Sequence, residues 1–131
     1  MRLILTHEQA DFDALASMLG VYLLDNLSIP VLPRRLNRNV RAFITLYGAE
    51  LPFVDPRDLP AEAVESICLV DTQTMATFRG VLPDTSVHII DHHDVRNNLP
   101  SHWTIVSENV GATVTVLVEQ LQSLNIELSM I

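Results

Sequence analysis

"SVHIIDHHDVR", Ser86–Arg96, is an apolar run that breaks abruptly into an acid and two adjacent histidines. A stretch that is apolar at consecutive positions suits a strand buried on both faces of a parallel sheet. Successive side chains on a strand point to opposite faces, so Asp91, His92 and His93 cannot converge if the strand simply continues. The reading that resolves this ends the strand at Asp91 and hands the histidines to the turn that follows.

Two other segments share the pattern. "SICLVD" (Ser66–Asp71) and "RLILT" (Arg2–Thr6) read as strands. "FDALASMLGVYLLD" (Phe12–Asp25) is apolar almost all round and reads as a well-buried helix. "IPVLP" (Ile29–Pro33) is a short strand trimmed by its prolines. "NRNVRAFITLYG" (Asn37–Gly48) reads as a helix with Asn37 as N-cap and Gly48 as its stop. "AELPFVDPRDLP" (Ala49–Pro60) is expected to be an irregular connection. "HWTIVS" (His102–Ser107) supplies one more strand, and "GATVTVLVEQLQSL" (Gly111–Leu124) has helical periodicity despite its β-branched residues. Strands alternating with helical stretches predict an α/β fold: a three-layer, doubly wound, mainly parallel sheet in one domain spanning residues 1–131. The ending "NIELSMI" lacks punctuation, with Ser129 placed to cap another helix, and is expected to mark truncation of a longer protein.

Composition narrows the function classes. The 131 residues are 48% hydrophobic and 18% charged, a globular balance. A single cysteine, Cys68, excludes an internal disulfide and suits a reducing compartment, which predicts a cytoplasmic protein. Cys68 lies in an apolar run and is expected to be a buried, inert thiol. Acidic and polar residues within the first fifteen positions argue against a signal peptide or membrane span, so no membrane partner is expected. The net charge of −8 makes a poor electrostatic partner for nucleic acid unless cations intervene, and two divalent ions would halve that excess.

The strand ends carry the chemistry. The first strand leads into His7, with Asp11 and Asp13 close behind; the second ends in Asp71; the third ends in Asp91, followed by His92 and His93. Ligands of open parallel sheets bind beyond the carboxyl ends of the strands. That many acids in one crevice would repel each other unless cations neutralised them. Oxygen and imidazole donors without thiolate suit Mn²⁺, Co²⁺ or Zn²⁺, and Mg²⁺ less well. Asp11 and Asp13, two apart at a helix start, diverge toward different ions, with Asp71 placed to bridge them. Two ions about 3.5–4 Å apart activate water and clamp the attacked and leaving oxygens of a phosphate ester. Singly, Asp11 is most simply an N-cap, Asp13 a first-turn acid and Asp71 a turn residue. Their coincidence at successive strand ends with His7 and His92 favours a metal site.

"THEQADFDALAS", "LVDTQ", "IIDHHDV" and "VGATVTVL" together resemble the four-part signature of the DHH phosphoesterase superfamily, which includes RecJ-like exonucleases, oligoribonucleases that also cleave dinucleotides, and manganese-dependent family II pyrophosphatases. The resemblance runs from His7 to Leu117. It implies a Rossmann-like DHH domain with two manganese ions, one held by His7, Asp11 and Asp71 and the other by Asp13, Asp71 and His92. It further implies that His93 contacts the scissile phosphate, that Asp91 orients the site, and that Gly111, Ala112 and Thr113 offer helix-start N–H groups to substrate. Arg96 is a further phosphate-contact candidate. Gln9-Ala10 stands where many relatives carry Asn-Pro or Asn-Ala. A further metal-binding aspartate and a closing carboxyl-terminal domain, present in complete enzymes, are expected beyond Ile131.

"ADFDALASML" and "VLPRRLNRNVRAFITLYG" resemble the amino-terminal DHH region of bacterial proteins that continue into CBS domains and a poly(A)-polymerase or tRNA-nucleotidyltransferase head. The expected activity is hydrolysis of phosphodiester bonds in short oligonucleotides or dinucleotides. The alternatives are a module of a tRNA-processing nucleotidyltransferase, meeting tRNA through its other domains, and a non-catalytic metal- or nucleotide-binding scaffold. Arg34, Arg35 and Arg38 read equally as a phosphate or RNA contact and as a solvated loop and helix start. His88 reads as a core or second-face histidine, and Glu8 as a solvated turn acid.

Overall fold

The structure is a computed structural model that describes residues 1–75, 80–93, 95 and 98–107. The expected helix over 111–124 lies outside these residues, as do Arg79, Arg96, Gly111, Ala112 and Thr113. Five strands form one sheet: β1 (Arg2–Leu5), β2 (Ser28–Pro30), β3 (Ser66–Val70), β4 (Ser86–Asp91) and β5 (Thr104–Ser107). Their order is β2-β1-β3-β4-β5, and every pairing is parallel. The chain thus adopts the α/β, Rossmann-like architecture that its continuous apolar runs predict.

The period of two along each strand divides the core. Leu3, Leu5, Ile67, Leu69, Val87 and Ile89 pack on one face, whereas Ile4, Val70 and Ile90 pack on the other against Met18 and Val21. Register joins like to like, with Leu3 opposite Ile67 and Ile67 opposite Val87. A slip of one residue would exchange the two faces, which have different coverings, so register is strongly specified. Met18 and Val21 belong to α1 (Phe12–Leu24), which starts at the cap residue Asp11. The other face is covered among the described residues by connections, through Leu59, Met75, Val81, Leu99 and Trp103.

Several boundaries differ from the sequence reading. β2 runs Ser28–Pro30 and not 29–33: the Val31 N–H still donates to the Ile4 carbonyl at 3.0 Å, but beyond it the chain bonds to Val54 instead of β1. The Leu32 N–H donates to the Val54 carbonyl and the Val54 N–H to that of Pro30, each at 2.9 Å. Pro30 is tolerated because β2 is the outer partner of β1. The proline-rich connection is irregular as expected, yet it contains 3-10 turns at Gly48–Glu50 and Pro56–Asp58. β5 begins at Thr104; His102 and Trp103 precede it in a turn closed by the Trp103 N–H on the Pro100 carbonyl. Asn37 does cap α2 (Arg38–Tyr47), accepting from the Asn39 N–H. Gly48 does not stop the helix by a left-handed turn, since its φ of −58° lets the backbone tighten into the 3-10 turn. Burial pushes the Cys68 thiol up to about 12, in accord with an inert side chain. No helix among the described residues is long and apolar enough to cross a membrane.

The two described glycines outside α1 make opposite predictions. At Gly80, φ is +89° and an added Cβ would lie 2.8 Å from the Glu62 carbonyl oxygen. Gly80→Ala should therefore cost about 2–4 kcal/mol in urea unfolding, strain and clash combined. Gly48→Ala, at φ −58° with only the Ile44 Cγ2 methyl at 3.3 Å, should lie within about 0.5 kcal/mol of the parent.

Candidate metal centre

β1 leads outward to β2, and the chain returns to place β3 on the opposite side of β1. Helical crossovers that diverge in this way leave a crevice at the carboxyl ends of β1 and β3. His7 follows β1 and Asp71 follows β3, so both stand at that crevice. The Thr6 hydroxyl donates to the Val70 carbonyl at 2.8 Å and ties its two lips together. The Asp71 N–H still donates to the Ile90 carbonyl at 3.0 Å, extending the ladder with β4 by one bond. Asp71 then leaves the sheet with φ +58°, and Gln9, on the facing loop, has φ +59°. Left-handed backbone at a residue other than glycine costs on the order of 1 kcal/mol or more, and aspartate tolerates it better than most.

That turn aims the Asp71 carboxylate along the crevice. Oδ2 lies 3.0 Å from His7 Nε2, and Oδ1 lies 3.2 Å from His92 Nε2. Asp13 Oδ2 stands 3.9 Å from the same His92 nitrogen. His7, Asp11 and Asp71 bring ligand atoms within 4.8 Å of one another, and so do Asp71, Asp91, His92 and His93. Asp71 is common to both groups. On the His92 side the grouping by proximity gathers Asp91 and His93, with Asp13 reaching it through the longer His92 contact.

The side chains around this pair of groups are held in place. Asp11 Oδ1 accepts from the Ala14 N–H at 2.9 Å, so Asp11 is both the N-cap of α1 and a member of the cluster. His7 Nδ1 faces the Glu8 carbonyl at 2.8 Å, an acceptor only, so this nitrogen carries a proton and Nε2 is the one turned to Asp71. Burial opposes the charging of His7, but the Glu8 carbonyl and the carboxylates of Asp71 and Asp11 outweigh it and raise its pKa above the ordinary value. The crevice as it stands therefore favours positive charge.

Asp91, 1% exposed, is the anchor of the histidine pair. Its Oδ1 accepts from the His92 N–H at 2.8 Å and from His93 Nδ1 at 2.6 Å, while Oδ2 accepts from Gln73 Nε2 at 2.9 Å. Burial alone would raise the Asp91 pKa, and these three hydrogen bonds hold it below the usual carboxylate range instead. The His92 and His93 rings sit 4.0 Å apart between centroids. His93 is the more exposed of the two, so a bound molecule can reach it.

Oxygen and imidazole donors, two of the aspartates buried and all sharing one edge, fit divalent cations; the Cys68 thiol, kept protonated in β3, adds no soft donor. Two contributors were not foreseen. Gln73, in "LVDTQ", is buried and braces Asp91; a polar residue two positions after a strand-end acid was its only signal. Glu8 is an exposed turn acid as expected, but its Oε2 accepts from the Arg35 N–H at 2.8 Å and so binds a second loop to the first. His88 is half-buried, lies within β4 three residues before its carboxyl end and contacts the Thr104 hydroxyl; burial lowers its pKa.

Comparison with known proteins agrees with the geometry. Over 140 aligned residues the chain is 31% identical to an A-adding tRNA nucleotidyltransferase of Geobacter sulfurreducens, covering 98% of this chain and 15% of that protein. It is 33% identical over 130 residues to the uncharacterized protein MJ1633 of Methanocaldococcus jannaschii, covering 95% of this chain and 26% of that one. The chain thus spans about a seventh and a quarter of the length of these two relatives. Residues 2–130 match the DHH family, N-terminal domain, and with the strand-end acids and histidines gathered at one sheet edge the chain belongs to the DHH family.

Proposed function

We propose that this chain is a two-metal phosphoesterase domain that hydrolyses phosphodiester bonds of short oligonucleotides or dinucleotides, with manganese as its preferred ion. The observation that carries the reading is Asp71, one carboxylate oxygen facing His7 and the other facing His92. His7, Asp11 and Asp71 would hold one cation, and Asp13, Asp71 and His92 the other. Bound there, divalent ions supply Lewis acidity toward water and the phosphate oxygens.

The chain's own groups do the rest. Asp91 fixes the proton on His93 Nδ1, which sets the direction of Nε2, the nitrogen that would donate to a phosphate oxygen. Gln73 and the His92 N–H keep Asp91 ionised despite its burial, so the histidine has a stable negative partner when it carries charge. His7 is aligned by the Glu8 carbonyl with Nε2 toward Asp71. A second reading makes the domain a module of an RNA-processing nucleotidyltransferase, favoured by the similarity to the A-adding enzyme over 98% of the chain. Gly111, Ala112, Thr113 and Arg96 remain proposed substrate contacts.

Asp71→Asn is the direct test in the complete reading frame. Manganese should raise the Tm of the parent and leave that of the variant unmoved, and kcat on a dinucleotide should fall by roughly a thousandfold or more. Retention of both manganese binding and turnover by Asp71→Asn would sink the proposal. Asp91→Asn should leave the fold intact and cost about 10–100-fold in metal affinity or activity, the usual range for a group that orients a ligand. Manganese binding without turnover of any phosphodiester would favour the non-catalytic scaffold.

A further inference from the structure

All eight basic residues of this chain are arginine, and half of them fall between Arg34 and Arg41. Arg2 is paired with Asp25 and Arg57 with Asp55. Arg34, Arg35, Arg38 and Arg41 are exposed, and among the described residues none of their guanidinium groups has a carboxylate within 4.0 Å. In a chain with twice as many acids as bases, four neighbouring arginines without an acidic partner are not an average surface.

Their placement also works against local stability. α2 opens at Arg38 with no acid in its first turn, so Arg38 and Arg41 face the positive end of the helix dipole. α1 has the favourable arrangement, with Asp11 as cap and Asp13 in the first turn. Local rules are broken most often where function demands it.

The arginine segment is fixed beside the metal centre by backbone bonds. The Gln9 N–H donates to the Arg35 carbonyl at 3.0 Å, and the Asn37 N–H donates to the Ala10 carbonyl at 3.0 Å. The Glu8 carboxylate accepts from the Arg35 N–H at 2.8 Å, and Ala10 and Leu36 form a parallel bridge. Residues 8–10 are the segment between His7 and Asp11, so Arg34 and Arg35 start at the rim of the centre and Arg38 and Arg41 continue along α2.

We propose that Arg34, Arg35, Arg38 and Arg41 form a phosphate track that holds the backbone of a single-stranded oligonucleotide leading into the centre. Guanidinium forks match phosphate oxygens bidentately, which suits such a track better than lysine would. A dinucleotide carries one internucleotide phosphate and pyrophosphate two phosphoryl groups, too few to occupy the centre and four arginines together. The track therefore selects strands of several nucleotides. This rests on the phosphoesterase reading, because the centre defines where the strand ends.

The test uses the complete reading frame and a fluorescent single-stranded RNA of about ten nucleotides. Anisotropy is measured in the Asp71→Asn background to prevent cleavage. Each double variant, Arg34→Ala with Arg35→Ala and Arg38→Ala with Arg41→Ala, should weaken binding about tenfold or more and flatten the dependence of log Kd on log salt by roughly 1–1.5. In the active protein, the ratio of oligonucleotide to bis(p-nitrophenyl) phosphate kcat/KM should fall about tenfold. Arg38→Glu should weaken RNA binding while leaving Tm unchanged or raised by roughly 2–4 °C, since an acid suits the helix start. Unchanged affinity and salt slope in both double variants would overturn the track, as would loss confined to binding of an acidic protein partner. Failure of the parent to hydrolyse the small ester would instead count against the phosphoesterase reading, with the anisotropy result still deciding the track.

Discussion

The Asp71 carboxylate has its two oxygens turned to two histidines from different parts of the chain, 3.0 Å from His7 and 3.2 Å from His92. That position exists because β3 ends beside β1 on one side and β4 on the other, and because residue 71 turns out of the ladder with a positive φ. The local strain and the burial of a charge are sustained by the packed sheet beneath. Val70, fully buried, belongs to the core against α1, so the residue before the turn cannot move without disturbing that core. Relaxing Asp71 to an ordinary extended conformation would swing its carboxylate away from at least one of the two histidines.

A second buried carboxylate supports the first. Asp91 binds the turn after β4 through the His92 N–H and His93 Nδ1 and is itself braced by Gln73 from the turn after β3. The turns after β3 and β4 are thereby joined above the sheet as their strands are joined within it. Thr6 and Glu8 extend the same device toward β1 and the loop before α2. The edge behaves as one hydrogen-bonded rim, in which the groups that would meet a cation and the groups that position them are different residues.

Much of this was legible in the linear pattern. Continuous apolar runs at 66–70 and 86–90 identify two-sided strands, because a solvated face would require alternation. Asp11 before an apolar helical stretch reads as an N-cap, and it is one. The boundaries of β2 and β5 and the manner in which α2 ends were misread. Each depends on a partner distant in sequence or on backbone angles: past Val31 the chain bonds to Val54 instead of β1, and the 3-10 turn takes over from α2 at Gly48.

Residue type and order by themselves determined the parallel α/β class, the strand-end position of the acids and histidines, and the membership in a known family. These are local properties, set by the side-chain period and by the chemistry of each residue. Only the tertiary structure decided which of those residues meet. The placement of β3 between β1 and β4 brings Asp71 between His7 and His92, across 64 and 21 residues of chain. It also lays the Arg35 loop against Glu8–Ala10, 27 residues back, which no local pattern announces. Strand order is settled by how two differently covered faces bury their apolar side chains, and that is a property of the whole sheet.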